Sequence, residues 1–329
     1  METSTLILTQ REIERLADTR TAIRAVREAF LAQARGETLM PPKVYLQLAE
    51  GDFRAMPAAI MSQSAAGLKW VNVHPRNPKR GLPSVMAVML LNDPATGRPL
   101  AVMDGLLITK LRTAAAAAVA ADCLARPDSR IVALIGCGAQ ADAQMTALAQ
   151  VRKIQTVRVW GFLKGEADAF CRKMAGVLKK IEWQSVASIE QAVKGSDIVT
   201  TLTPSRQPIV DNRWIAPGAH INAVGADGPG KQELDPAILR RAVVIVDERE
   251  QSIHGGEINV PVTLGQFRAD AIQASLGEVL LGKKPGRRKK EDITVFDSTG
   301  LAIHDVALAQ VIYRAALGRR VGRRIRLFQ

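Results

Sequence analysis

Apolar residues recur at helical spacing over residues 9–36, most clearly at 21–30, and the run stops at Pro41-Pro42. From residue 43 to 104 the pattern shortens to strands at 44–48, 53–60, 68–73, 85–91 and 100–103, separated by turn signals such as Asp93-Pro94 and Gly97. This predicts an antiparallel or mixed sheet in a first domain. Residues 106–124 surround the run Ala114–Ala118, a strong helix former of little bulk, which suggests close packing or close approach to a ligand. That helix is expected to bridge two domains, with Arg126-Pro127-Asp128-Ser129 as the boundary turn. Beyond it strands at 131–135, 157–160, 183–186, 197–202, 220–224, 243–246 and 293–296 alternate with helices at 141–149, 166–180, 189–194 and 271–281. A last helix at 300–317 is expected to pack back on the first domain. The alternation indicates an α/β chain with a Rossmann-type doubly wound parallel sheet, plus a smaller α+β first domain. The expected division is 1–125, then 126–299, with 300–329 returning to the first domain.

The five apolar residues Ile131-Val-Ala-Leu-Ile135 read as a strand buried on both faces. Gly136-Cys-Gly-Ala-Gln-Ala141 follows, in the form G-x-G-x-x-A, and leads into a helix. Gly136 would permit the tight turn and Gly138 the approach of a pyrophosphate. Ala141 is small enough for close packing, and the helix N-terminus faces the phosphate charge. Within this loop Cys137 reads as a small filler.

Charge modifies the picture less than its size suggests. The net charge is +13, but residues 283–290 hold six Lys/Arg and residues 319–326 hold five, and without those eleven the remainder carries +2. The first cluster has Pro and Gly at its centre and reads as an exposed loop; neither is interleaved with aromatic residues, so no nucleic-acid partner is expected. No apolar stretch is long enough to span a membrane. The N-terminus lacks a secretory pattern, and three separated cysteines match neither a zinc site nor a disulfide framework, which fits the cytoplasm. The four histidines lack metal-ligand spacing, so no metal is expected. The chemically active groups of the first domain are basic: Lys43, Arg54, Lys69 and Arg112.

Several stretches, in a fixed order along nearly the whole chain, resemble the ornithine cyclodeaminase/mu-crystallin family. They are Gly51-Asp-Phe-Arg-Ala-Met-Pro57, Gly67-Leu-Lys-Trp-Val-Asn72, His74-Pro-Arg-Asn-Pro78, Gly81-Leu-Pro83 and Leu111-Arg-Thr-Ala-Ala115. The glycine loop follows, then Gly225-Ala-Asp-Gly-Pro-Gly-Lys-Gln-Glu-Leu234, His254-Gly-Gly-Glu257 and Asp297-Ser-Thr-Gly300. The first and the Gly225 stretch look most like the alanine dehydrogenase branch. The resemblance implies an NAD(P)-dependent enzyme of small amino or imino acids and a homodimer whose first domain supplies the subunit contact. Alternatives within it are ornithine cyclodeamination, cyclic imine or ketimine reduction, and small-ligand binding of the mu-crystallin kind. It places a catalytic lysine at Lys69, a catalytic aspartate at Asp227 and an arginine shared by substrate and cofactor at Arg112. Cofactor contacts map to Ser84, Gly136, Gly138, Ala139, Gln140, Gly161, Phe162, Leu163, Lys164, Thr203, Val224, Gly225, Ala226, Asp227, Lys231 and Ser298. Lys43 stands where cyclodeaminases resemble one another in having arginine.

The chemistry of these side chains fits that placement. An amino or oxo acid presents a carboxylate, for which Arg112 and Arg54 are suited, with Lys43 beside them. A lysine among apolar residues, as in Gly67-Leu-Lys69-Trp-Val, loses its proton more readily and can pass protons at neutral pH. Asp227, on a glycine-rich turn, could orient water or bind a substrate ammonium. The acid expected at the end of the second nucleotide-binding strand is replaced by Gly161, and Lys164 follows, a pattern that favours NADP tolerance alongside NAD.

Overall fold

The computed structural model describes residues 4–327, which form two units: residues 4–112 with 301–327, and residues 113–300. The units part inside the alanine-rich helix Gly105–Leu124, between Arg112 and Thr113.

The first unit is built on a mixed sheet in the order Arg323–Arg326, Ser4–Leu8, Pro99–Asp104, Val85–Asn92, Ala65–Val73, Gly51–Ile60 and Thr38–Leu39, with Val44–Leu48 also paired to Gly51–Ile60. Ser4–Leu8 runs parallel to Pro99–Asp104, and the other pairings are antiparallel. Successive side chains of a strand point to opposite faces. Met56, Lys69 and Met89 are therefore cross-strand partners on one face, and all three are buried. Ala55, Trp70 and Val88 are partners on the other. Helix Ala302–Arg319 packs over Gly51–Ile60, Ala65–Val73 and Val85–Asn92 and against helix Thr19–Ala34. Its first half is buried all round, from Ala302 to Gln310, which explains an apolar pattern that is not confined to one stripe.

The second unit carries a wholly parallel sheet in the order Glu182–Ser185, Thr156–Trp160, Ile131–Ile135, Ile198–Thr201, His220–Ala223, Ile293–Asp297, Ala242–Val246 and Ala274–Ser275. Strand order reverses between Ile131–Ile135 and Ile198–Thr201, the place where doubly wound sheets open a ligand crevice. Ala133 and Ile135 enter one core cluster while Val132 and Leu134 enter another, so this strand is buried on both faces. His220 is locked between its neighbours, Nδ1 at 2.9 Å from Thr294 Oγ1 and Nε2 at 3.0 Å from Asn222 Oδ1. Burial pushes its imidazole down to about 3, so it is a neutral core residue.

Two expectations are corrected here. The helix expected at 271–281 is confined to Leu276–Leu280, preceded by a 3₁₀ turn at Ala269–Ala271 and by strand Ala274–Ser275. The Ser275–Glu278 capping box starts the helix late, and pairing with Ile245 and Val246 holds Ala274–Ser275 extended. The cluster at 283–290 is not uniformly solvated either. The Arg287 guanidinium donates to the carbonyls of Leu124 (2.6 Å), Ala219 (3.2 Å) and Asp292 and to Thr294 Oγ1 (3.1 Å). Arg287→Ala strands these acceptors, and a loss of about 1–3 kcal/mol is expected in denaturant melts. Neutralising Lys283, Lys284 and Arg288, which are exposed, should change stability by no more than about 0.5 kcal/mol.

Candidate active site and dinucleotide cleft

In the first unit the cross-strand register points Lys69 at the face covered by helix Ala302–Arg319, where its side chain is 1% exposed. The first turn of that helix presents Asp305, and Lys69 Nζ donates to both of its carboxylate oxygens at 2.9 Å. Arg112 Nε donates to Asp305 Oδ1 at 3.1 Å. One buried carboxylate thus stands between two cations. Burial, reinforced by the Arg112 charge, brings the Lys69 amine down to about 7; Asp305 opposes the fall and Lys43 adds to it. Burial acts to raise the Asp305 carboxyl, but Arg112 and Lys69 hold it below its ordinary value. His304, next in sequence, is buried with its ring edge-on to Phe30 at 4.3 Å, and burial lowers it to about 3.

Arg54 shares this sheet face. It pairs in register with Tyr45 and Val71, one step along from the Met56–Lys69 pair. Its guanidinium grips Asp52 through Nε at 2.7 Å and Nη2 at 3.2 Å and lies 5.3 Å from the centre of the Tyr45 ring. Of the four basic residues singled out in the sequence, Lys69 and Arg112 are joined through Asp305, Lys43 reaches Lys69 through its charge, and Arg54 is held by Asp52. Ser84 lies in the same unit at the entry to Val85–Asn92, its carbonyl accepting the His74 N–H at 2.7 Å.

In the second unit a cleft of about 600 Å³ opens at the strand-order reversal, lined by Gly136, Gly138, Trp160, Phe162, Glu166 and Thr203 among others. Gly136 takes φ +94°, and a Cβ there would stand 3.1 Å from Thr203 Cγ2. A Cβ on Gly138 would meet nothing within 4 Å, so the loop backbone faces open space just before helix Ala141–Val151. Gln140 Oε1 and Ser298 Oγ are buried without a hydrogen-bond partner among the described residues. A backbone cradle, a helix N-terminus and polar atoms awaiting a partner fit a dinucleotide. Ala139 and Gln140 belong to the loop itself, whereas the exposed Leu163 and Lys164 are not among the lining residues. Val224, Gly225, Ala226 and Asp227 form the turn after His220–Ala223, and Asp227 Oδ1 accepts from Lys231 Nζ at 2.5 Å. Cys137 is buried in the loop; burial and then the Glu166 carboxylate hold its thiol up to about 12, which removes it as a nucleophile.

Three carboxylates that the sequence reading left without a role are brought into these sites. Asp305 is the first, 236 positions from Lys69. Glu233 is the second. It accepts the Thr203 N–H and hydroxyl on Oε1, each at 2.7 Å, and the Gly225 N–H on Oε2 at 3.0 Å, tying together two loops of the cleft. Behind it Glu257 accepts the N–H groups of Glu233 (2.9 Å) and Leu234 (2.7 Å), and Asp297 accepts that of Glu257 at 2.9 Å. Burial raises the Asp297 carboxyl to about 8. Both Glu233 and Asp297 lie inside stretches that were legible as motifs, but their backbone partners were not. Glu166 is the third. Its carboxylate lies against Gly161, so the absence of an acid at position 161 does not leave the cleft without one.

Comparison with known proteins agrees with this architecture. Alanine dehydrogenase of Archaeoglobus fulgidus is 50% identical over 328 residues, covering 99% of both chains. The structure of an archaeal alanine dehydrogenase dimer with bound NAD superposes with a TM-score of 0.95 at 50% identity, over 99% of this chain and all of that one. The Δ1-pyrroline-2-carboxylate reductase of Thermococcus litoralis, solved with NADH and L-proline, gives a TM-score of 0.94 at 37% identity, over 98% and 100% of the two chains. Residues 3–320 match the ornithine cyclodeaminase/mu-crystallin family, and the chain belongs to that family.

Proposed function

We propose that this protein is a nicotinamide-dinucleotide-dependent dehydrogenase of small amino acids, with L-alanine and pyruvate plus ammonia as its substrate pair. The observation that carries the reading is the buried Lys69–Asp305–Arg112 arrangement, a proton-exchanging amine beside carboxylate-binding cations. Full-length identity of 50% to an alanine dehydrogenase supports the choice of alanine. The nicotinamide, when bound, supplies the hydride acceptor or donor for the substrate Cα. Arg112 holds the substrate carboxylate, with Arg54 and Lys43 adding positive charge. Lys69, near neutrality in its own titration, takes the proton from the attacking water and returns one to the departing amine. Asp305 orients Nζ for both transfers. Asp227, steadied by Lys231, serves as the second acid–base group.

The test is a panel of amino acids, oxo acids and cyclic imines with NAD and NADP, following reduced cofactor, ammonia and proline together. Reduced cofactor formed with alanine supports the reading. Proline and ammonia released from ornithine without net reduction would replace it with cyclodeamination. Likeness to the reductase solved with L-proline favours a second reading, reduction of a five-membered cyclic imine acid, and faster turnover on that substrate would establish it.

The first unit also supports a homodimer. Val44, Leu46, Leu48, Trp70, Met86 and Val88 are exposed and, by register, share the sheet face opposite Lys69. A continuous apolar face of this kind marks a protein contact, and the archaeal relative is a dimer. Val88→Lys, at the centre of the face, is expected to shift the mass in light scattering from two chains to one. An unchanged mass would place the contact elsewhere.

A further inference from the structure

Gly161 is the first residue after strand Thr156–Trp160, which lies beside the glycine-loop strand Ile131–Ile135. In nucleotide-binding sheets the end of this strand is where an acid holds the ribose 2′-hydroxyl and rejects a 2′-phosphate. Here the acid arrives from farther along the chain. Glu166 opens helix Glu166–Val177, and its carboxylate turns back so that a Cβ on Gly161 would lie 3.1 Å from Oε2. The same Cβ would lie 2.8 Å from Cys137 Sγ, so the missing side chain at 161 is what leaves room for Glu166. Leu163 N–H donates to Oε2 at 3.2 Å, fixing the carboxylate against the loop. Glu166 lines the same cleft as Gly136, Gly138 and Thr203. Lys164, the cation that the sequence offered to a 2′-phosphate, is exposed and is not among the lining residues.

We propose that Glu166 is the cofactor selector of this protein: its carboxylate binds the adenine-side ribose diol of NAD and excludes the 2′-phosphate of NADP. The inference rests on the dinucleotide-dependent reading of the cleft but not on which amino acid is the substrate. A hydrogen bond to a charged acceptor and a charge repulsion both act on the same ratio, in opposite senses for the two cofactors.

The test is calorimetric titration of the full-length protein with NADH and NADPH, and with 5′-AMP and 2′-AMP as fragments that lack the nicotinamide. The wild type should bind NADH more tightly than NADPH by about 10- to 100-fold, the range expected for one charged hydrogen bond. In Glu166→Gln that preference should fall about tenfold or more, with an unchanged melting temperature, and Glu166→Arg should reverse it. The AMP pair should follow the same order. A wild type that prefers NADPH, or a ratio untouched by both variants, would overturn the proposal. Failure of both dinucleotides to bind the wild type would overturn it together with the reading of the cleft. A ratio that collapses as expected in an enzyme inactive on alanine supports the selector and strikes only the substrate.

Discussion

Replacing Lys69 by methionine, which keeps the length of the apolar stem, is expected to lower turnover by about 10²- to 10⁴-fold, the usual contribution of a positioned acid–base group. Dinucleotide binding should be unchanged, because Lys69 belongs to the first unit and the glycine-loop cleft to the second. The pH dependence carries the stronger statement. In the oxidative direction the free amine is the active form. The wild-type kcat/KM should therefore rise with pH through about 7, where burial has placed the amine. An ordinary lysine would give that limb more than three units higher. In the reductive direction the ammonium is the active form, and the same limb should fall with pH. A variant within a few fold of wild type, or a wild-type profile flat between pH 6 and 8, would remove Lys69 from catalysis.

The sequence pattern made much of this legible, for reasons that are physical. The run Ile131–Ile135 and its glycine turn are local features, and a strand buried on both faces has no polar alternation to disguise it. Lys69 stood out through the family stretch Gly67-Leu-Lys-Trp-Val-Asn72, whereas its apolar neighbours Leu68 and Trp70 point to the opposite face of the sheet. Partners distant in sequence were not legible. Asp305 sits in a helix whose pattern reads as apolar, and nothing near it in the chain points to a strand 236 positions earlier. Glu166 was hidden by a different cause: the rule that seeks an acid at the strand end inspects position 161, whereas the space there is filled from the next helix. For the same reason Gly161→Asp is a poor way to add to NAD preference, since its Cβ would press on Cys137 Sγ and its charge on Glu166. The terminal strands Ser4–Leu8 and Arg323–Arg326 went unpredicted, since each is short and is held extended by partners distant in sequence, Ser4–Leu8 by Pro99–Asp104 and Arg323–Arg326, and the latter by Ser4–Leu8.

Asp305→Asn should separate the two things this carboxylate does. It is the group that raises Lys69 against burial and the Arg112 charge, so its loss should move the oxidative kcat/KM limb to lower pH. It also fixes Nζ through two bonds at 2.9 Å, which an amide cannot reproduce with both of its atoms as acceptors. Even where the amine is wholly free, above pH 8, kcat should remain about 10- to 100-fold below wild type, a misplacement effect of ordinary size. Removing one member of a buried charged group leaves the others uncompensated, and a destabilisation of about 3–5 kcal/mol is expected below the new limb, where Lys69 would have to carry its proton. Raising the pH relieves that cost, because a folded-state lysine pKa below the unfolded value makes stability increase with pH between the two. Thermal melts of the variant should therefore rise from pH 6 to pH 9 more steeply than those of wild type. A variant that melts lower at every pH by the same amount, with the kinetic limb still at about 7, would show Asp305 to be a packing residue with no hold on the lysine.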